Sequence, residues 1–296
     1  MTVAFGIYAP AGFATDPAAV ARAAQKLREL GHAVVVDDAA TARWQRFAGT
    51  DDERLAAIAR IAARDDVDVA LAVRGGYGWT RLISRIDFAR LAQSRKRWLG
   101  HSDFTAFQLA ALAAAGMKSF AGPMAAYDFG AAAPSAYTLE HCLAVLENPH
   151  HAFDCALDGP DIDVAGTLWG GNLALVASMC GTQHLPAIDG GILFLEDVAE
   201  HPYRVERMLY QLHHAGILAR QRAVLLGAFT EYALNANDGG YDFAAMVAHM
   251  RGVTPTPILT GLPFGHVRDK VTLPVGGRAA LTVRDGAARI GLSDYA

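Results

Sequence analysis

At 296 residues, with 52% hydrophobic and 19% charged side chains, the chain is expected to be ordered and long enough to divide into two domains. A formal net charge of -4 with scattered basic residues excludes the basic footprint of a nucleic-acid-binding protein, and no apolar run reaches the length of a membrane span. Three cysteines (Cys142, Cys155, Cys180) without CxxC spacing read as free thiols in a reducing compartment.

Val3–Pro10 reads as a buried strand, and Pro17–Leu30 as a helix that Gly31 ends. The apolar run Val3–Ala14 precedes the first basic residue, Arg22, which is the reverse of a signal peptide, so a cytoplasmic location is expected. Ala33–Val36 is the next strand. Asp51 and Asp52 open a helix, Glu53–Arg64, whose apolar residues recur at helical spacing. The strand Val67–Val73 runs into the loop Arg74-Gly75-Gly76-Tyr77-Gly78, and a further helical segment follows. A short apolar run then passes through Gly100 into Ser102, an alanine-rich helix continues from Asp103 to Ala115, and Ser119–Met124 is a closing strand. Strands alternating with helices at this spacing form a parallel sheet covered on both faces, whose ligands sit beyond the carboxyl ends of the strands. The Arg74–Gly78 loop and Ser102 both fall on that edge.

The strand–serine–helix turn has two readings. It can present a nucleophile above the sheet, with the next backbone N–H free at a helix N-terminus, or Ser102 can simply cap the helix.

Residues 126–163 carry several prolines and one helix, Ser135–Leu146, and are read as a linker between a domain at 1–125 and another at 164–296. In the second part, Gly170-Gly171-Asn172 precedes a small-residue helix to Cys180. Gly191–Asp197 is a strand ending in carboxylates, Pro202–Ala215 a helix, Val224–Phe229 a strand and Tyr241–Met250 a helix. Short strands follow at Ile258–Gly261, Val271–Pro274, Ala279–Arg284 and Ala288–Leu292, with Asp285-Gly286 as a hairpin turn.

Besides Ser102, two chemically able residues close strands: Glu196 after Ile192–Leu195, and His266 after Gly261–Gly265. A nucleophile, a base and a group that orients the base are the parts of a serine triad. Strand alternation puts Glu196 and Asp197 on opposite faces, so only one of them can meet His266, and pattern alone does not choose. The adjacent pairs His150-His151 and His213-His214 lack metal-ligand spacing, and the Gly75–Gly78 loop lacks the lysine and serine of a phosphate-binding loop, so no metal or cofactor is expected. A two-lobed binding protein without catalysis fits the length but predicts a signal peptide.

Five motifs in order resemble the LD-carboxypeptidases, the serine peptidases that recycle murein peptides in the bacterial cytoplasm. They are Arg74–Gly78; Gly100-His101-Ser102-Asp103-Phe104-Thr105; Gly170-Gly171-Asn172-Leu173; Leu195-Glu196-Asp197 with Pro202–Arg207; and Gly261-Leu262-Pro263-Phe264-Gly265-His266. The resemblance implies an α/β protein with a flavodoxin-like parallel-sheet N-terminal domain, a C-terminal α/β domain with β-barrel character, and a homodimer. It implies a catalytic triad of Ser102, Glu196 and His266, so that Glu196 is chosen over Asp197, and an oxyanion hole from the N–H groups of Asp103 and Gly76. The implied reaction is release of the terminal D-alanine from a murein tetrapeptide. Arg74 is a candidate for the substrate's free carboxylate, with bracing of its own loop as the alternative, and Arg204 is a second candidate. Asn172 either caps a helix or contacts substrate. The microcin C resistance proteins, which act on aminoacyl or peptidyl nucleotides, look similar, but they carry a longer loop than this chain has around residues 230–255.

Overall fold

The computed structural model describes residues 3–296. Its first half alternates strand and helix: β1 (Ala4–Tyr8), α1 (Ala18–Glu29), β2 (Ala33–Val36), α2 (Asp51–Ala62), β3 (Val69–Ala72), α3 (Phe88–Gln93), β4 (Arg97–Gly100), α4 (Phe104–Ala115) and β5 (Ser119–Ala121). Then come α5 (Ala136–Glu147), β6 (His151–Ala156), β7 (Ile162–Asn172), α6 (Leu173–Ser178), β8 (Ile192–Val198), α7 (Pro202–His214), β9 (Ala223–Thr230) and α8 (Phe243–Val253). The chain closes with β10 (Ile258–Thr260), β11 (Leu273–Val275), β12 (Arg278–Arg284) and β13 (Ala287–Ser293).

Local chemistry accounts for many of these boundaries. Gly31, at φ +91°, ends α1 in a conformation that costs glycine nothing. Thr50 and Glu53 cap α2 reciprocally, and Asp51 and Asp52 add negative charge at its positive end. Asp285 and Gly286 both have positive φ, so β12 and β13 join through a tight hairpin turn of matching twist.

The first sheet has the order β11-β5-β4-β3-β1-β2, with β1 to β5 parallel. Helices cover both faces, which is why its strands read as unbroken apolar runs. The second sheet has the order β10-β9-β8-β7-β12-β13-β6 and curls into a half-barrel. Strands β7 to β10 are parallel, whereas β12, β13 and β6 add antiparallel. The α/β class and its parallel-sheet first part are as expected from the sequence.

The sheets do not follow the 1–125, 126–163 and 164–296 division. The stretch read as a linker contains β6, an edge strand of the second sheet, and the start of β7. In the other direction, β11 returns to pair antiparallel with β5 and completes the first sheet. An exposed sheet edge attracts any available strand, and a strand's own residues do not reveal which edge it will join. One continuous apolar core runs from Phe5 and Leu99 of the first sheet to Phe194 and Leu225 of the second.

Candidate active site

Strand β4 delivers the chain through Gly100 into a sharp turn. Ser102 stands there at φ +64°, a left-handed conformation that costs a residue with a Cβ roughly 1–2 kcal/mol. Among the described residues its Oγ makes no hydrogen bond and caps no N–H of α4, so the capping alternative is not what the turn does. Asp103 turns its carboxylate the other way: Oδ2 accepts the Trp79 N–H at 2.8 Å and ties the turn to the preceding loop. Burial pushes the Asp103 carboxyl up to about 6. The N–H groups of Asp103 and Gly76 donate to no acceptor among the described residues.

The Arg74–Gly78 loop lies directly on this turn. A Cβ on Gly75 would stand 2.8 Å from both the His101 carbonyl oxygen and the Ser102 Cβ, so only glycine allows the approach. The fully buried Arg54 pins the far end of the loop, donating from Nη1 to the carbonyls of Pro10 and Gly78 at 2.9 and 3.0 Å. Nothing in the local helix pattern around Arg54 signals that duty.

Glu196 and His266 come to the same place from the second sheet. Glu196 is fully buried on β8, where the pairing with β9 shifts register between Leu195 and Asp197. Its Oε2 lies 2.7 Å from His266 Nδ1. An ionised carboxylate can only accept, so Nδ1 carries the proton and Nε2 keeps the free lone pair. Burial by itself would raise the Glu196 carboxyl, but His101 and His266 beside it hold it well below the usual carboxylate range. Burial drives His101 toward its neutral form, against the pull of the neighbouring Glu196 charge. His266 does not close a strand as expected; it sits in an irregular loop after β10.

Among the described residues Asp197 makes no hydrogen bond to His266. Its Oδ1 accepts from Asn172 Nδ2 at 2.8 Å and its Oδ2 from the Ala174 N–H at 2.9 Å, bracing the start of α6. Burial and the neighbouring Glu196 charge raise its carboxyl to about 6. Of its two readings, Asn172 takes the first: it is buried and caps α6 through Oδ1. Its Nδ2 also reaches toward Glu196 Oε1 at 3.4 Å, and its N–H donates to Thr105 Oγ1 at 3.0 Å, joining β7 to α4. Gly171 beside it, at φ +133°, leaves no room for a Cβ, which would stand 2.4 Å from Thr105 Oγ1.

A cavity of about 670 Å³ opens between the two parts, with Ser102, His266, Gly76 and Arg74 in its wall. Arg74 donates from Nη1 to the Phe13 carbonyl at 3.2 Å and lies 5.3 Å over the Tyr127 ring, with much of its guanidinium left for a ligand. Arg204 is not in this wall; it is half-exposed on α7 and paired with Glu200, which precedes the helix. The wall also contains Arg268, Glu231 and the buried pair Lys270–Asp128 at 2.6 Å, none of which sequence pattern had singled out.

His101 is the largest surprise. It is buried under the turn, its ring 4.5 Å from that of His266 and its Nε2 3.6 Å from Glu196 Oε1. His101, Glu196 and His266 each offer a donor atom within 4.8 Å of the others, a metal-capable cluster formed by neither of the adjacent histidine pairs.

Residues 5–122 match the family profile described as the LD-carboxypeptidase N-terminal domain, and residues 165–281 that of the LD-carboxypeptidase C-terminal domain. The chain is similar to the "Probable murein peptide carboxypeptidase" of Bacillus subtilis, 30% identical over 96% of this chain and 90% of that protein. Against the murein tetrapeptide carboxypeptidase of Pseudomonas aeruginosa, identity is 33% over 81% of this chain and 80% of that one. The crystal structure of muramoyltetrapeptide carboxypeptidase from Oxalobacter formigenes superposes with a TM-score of 0.93 at 47% identity, covering 99% of each chain. The microcin C7 self immunity protein MccF, in complex with glutamyl sulfamoyl guanosine, shares the fold with a TM-score of 0.89 at 21% identity, covering 99% of this chain and 96% of that one.

Proposed function

Because the chain belongs to the LD-carboxypeptidase family, we propose that it is a serine carboxypeptidase that releases the terminal D-alanine from murein tetrapeptides through Ser102, His266 and Glu196. The observation that carries this reading is the 2.7 Å contact between buried Glu196 and His266, beside a cavity whose wall also holds the strained Ser102. His266 Nε2 takes the Ser102 proton while Oγ attacks the carbonyl on the L-centre of the third residue. The tetrahedral oxyanion is held by the free N–H groups of Asp103 and Gly76. His266 then protonates the departing D-alanine amine, and water hydrolyses the acyl-enzyme by the same base. Among the described residues Ser102 and His266 are not yet hydrogen-bonded, and such bonds commonly tighten only with substrate in place.

Arg74 supplies the charge that selects a free terminal carboxylate, since a guanidinium binds one bidentately. The setting is peptidoglycan recycling in the cytoplasm by a homodimer without cofactor. Among the described residues no helix is long and apolar enough to cross a membrane. Neutralising Arg204 is expected to leave substrate affinity unchanged, because Arg204 pairs with Glu200 outside the cavity.

D-Alanine release from a murein tetrapeptide, assayed beside hydrolysis of an aminoacyl sulfamoyl adenylate, tests the substrate class. Turnover of the tetrapeptide that disappears in Ser102→Ala supports the reading. Faster turnover of the adenylate would place the chain with the microcin-type peptidases, and activity lost to a chelator and restored by zinc would overturn the serine mechanism.

A further inference from the structure

We propose that His101, Glu196 and His266 form a binding site for a divalent transition-metal ion, Zn²⁺ foremost, and that the ion reversibly switches the hydrolase off. Their donor atoms lie within 4.8 Å of one another, and His101 Nε2 is 3.6 Å from Glu196 Oε1. Tetrahedral zinc with ligands at about 2.0–2.2 Å sets those ligands roughly 3.3 Å apart, so closing on an ion moves His101 and Glu196 a few tenths of an ångström and donors as far apart as 4.8 Å by up to about 1.5 Å, within reach of side-chain rotation. Two imidazoles and a carboxylate, with a fourth position open to water, are a donor set that suits zinc and not calcium or magnesium, which take oxygen ligands.

His101 gives the second, independent reason. It is 2% exposed, yet neither ring nitrogen has a hydrogen-bond partner among the described residues. A buried imidazole with neither nitrogen hydrogen-bonded is unusual, and the proposed triad chemistry does not use it. Access is through the cavity, where His101 and the partly exposed His266 stand beside Ser102.

The consequence is the same whichever His266 nitrogen ligates. At Nε2 the ion occupies the lone pair that must accept the serine proton. At Nδ1 it displaces the proton to Nε2, which then has nothing to accept with. Inhibition therefore rests on the triad reading, whereas ion binding rests on geometry alone.

The experiment is titration of the full-length protein with Co²⁺, followed by visible absorption, and with Zn²⁺, followed by calorimetry and D-alanine release. One ion per chain is expected, with a tetrahedral Co²⁺ spectrum and activity that Zn²⁺ abolishes and a chelator restores. His101→Asn and His101→Leu should each weaken binding and inhibition by about tenfold or more, the scale of losing a metal-site contact. No ion on the wild-type chain, or equal binding by wild type and the His101 variants, overturns the site. Binding through His101 with undiminished D-alanine release overturns the switch. If neither variant folds, histidine-ring NMR of the wild type decides: the ring signals of two histidines, one of them buried, move with Zn²⁺, or the proposal fails. A chain that releases no D-alanine from any tetrapeptide refutes the proposed function, while the Co²⁺ spectrum still reads the site.

Discussion

Replacing the serine at the turn tests whether backbone strain is stored there. Ser102 sits at φ +64°, and its hydroxyl makes no hydrogen bond among the described residues, so Ser102→Ala should remove the nucleophile and leave stability nearly unchanged. Ser102→Gly also relieves the left-handed penalty of about 1–2 kcal/mol, against a loss of about 0.4–1 kcal/mol from the greater freedom of glycine in the unfolded chain. The net expectation is that Ser102→Gly is more stable than Ser102→Ala by roughly 0.5–1 kcal/mol, the reverse of the usual order of these residues in regular structure. For a chain of 296 residues this corresponds to a rise of roughly 1–2 °C in Tm. Calorimetric melting of the two variants side by side reads the difference, and D-alanine release checks that both are inactive. Ser102→Gly melting at or below Ser102→Ala would refute the claim that the turn is held under strain.

Glu196→Gln should lower kcat by about 10³–10⁴ with little change in KM, because the residue orients His266 and does not line the cavity; a loss within tenfold would remove that role. Arg74→Ala should raise KM for the free-acid tetrapeptide roughly tenfold to a hundredfold, from a charged hydrogen bond of about 1.5–3 kcal/mol, and leave the C-terminal amide unaffected. Equal effects on both substrates would assign Arg74 to bracing its loop. Asp103 holds its proton to about pH 6 when folded, against 3.8 for an ordinary aspartate, so its contribution to stability is present below pH 3.8 and is lost as pH rises through 6. Asp103→Asn keeps an oxygen for the Trp79 N–H and should gain on the wild type across that window, by up to about 3 kcal/mol above it. Denaturant melts at pH 4 and pH 7 that show no pH-dependent difference between the two proteins would refute this.

Much of the fold was legible because it depends on neighbours in sequence. The strand–helix alternation, the stop at Gly31, the hairpin at Asp285-Gly286 and the turn at Ser102 follow from periodicity and from residues that tolerate or terminate particular φ values. The Arg204–Glu200 pair was not read, because Glu200 precedes α7 and falls outside the spacing that makes i,i+4 helix neighbours predictable. Neither the return of β11 to the first sheet nor the placement of β6 in the second was readable, since a strand carries its own pattern and not its partner's address.

At the site the division is the same. The residues by themselves determined that a serine would stand at a sheet's carboxyl edge and that two carboxylates would close β8. Only the tertiary structure decided that Glu196 meets His266, that Asn172 and Asp197 serve the start of α6, and that His101 lies unpartnered beside the Glu196–His266 pair. Backbone geometry and alternation act within a few residues, whereas these contacts form only when one apolar core draws two sheets together and removes their polar edges from water.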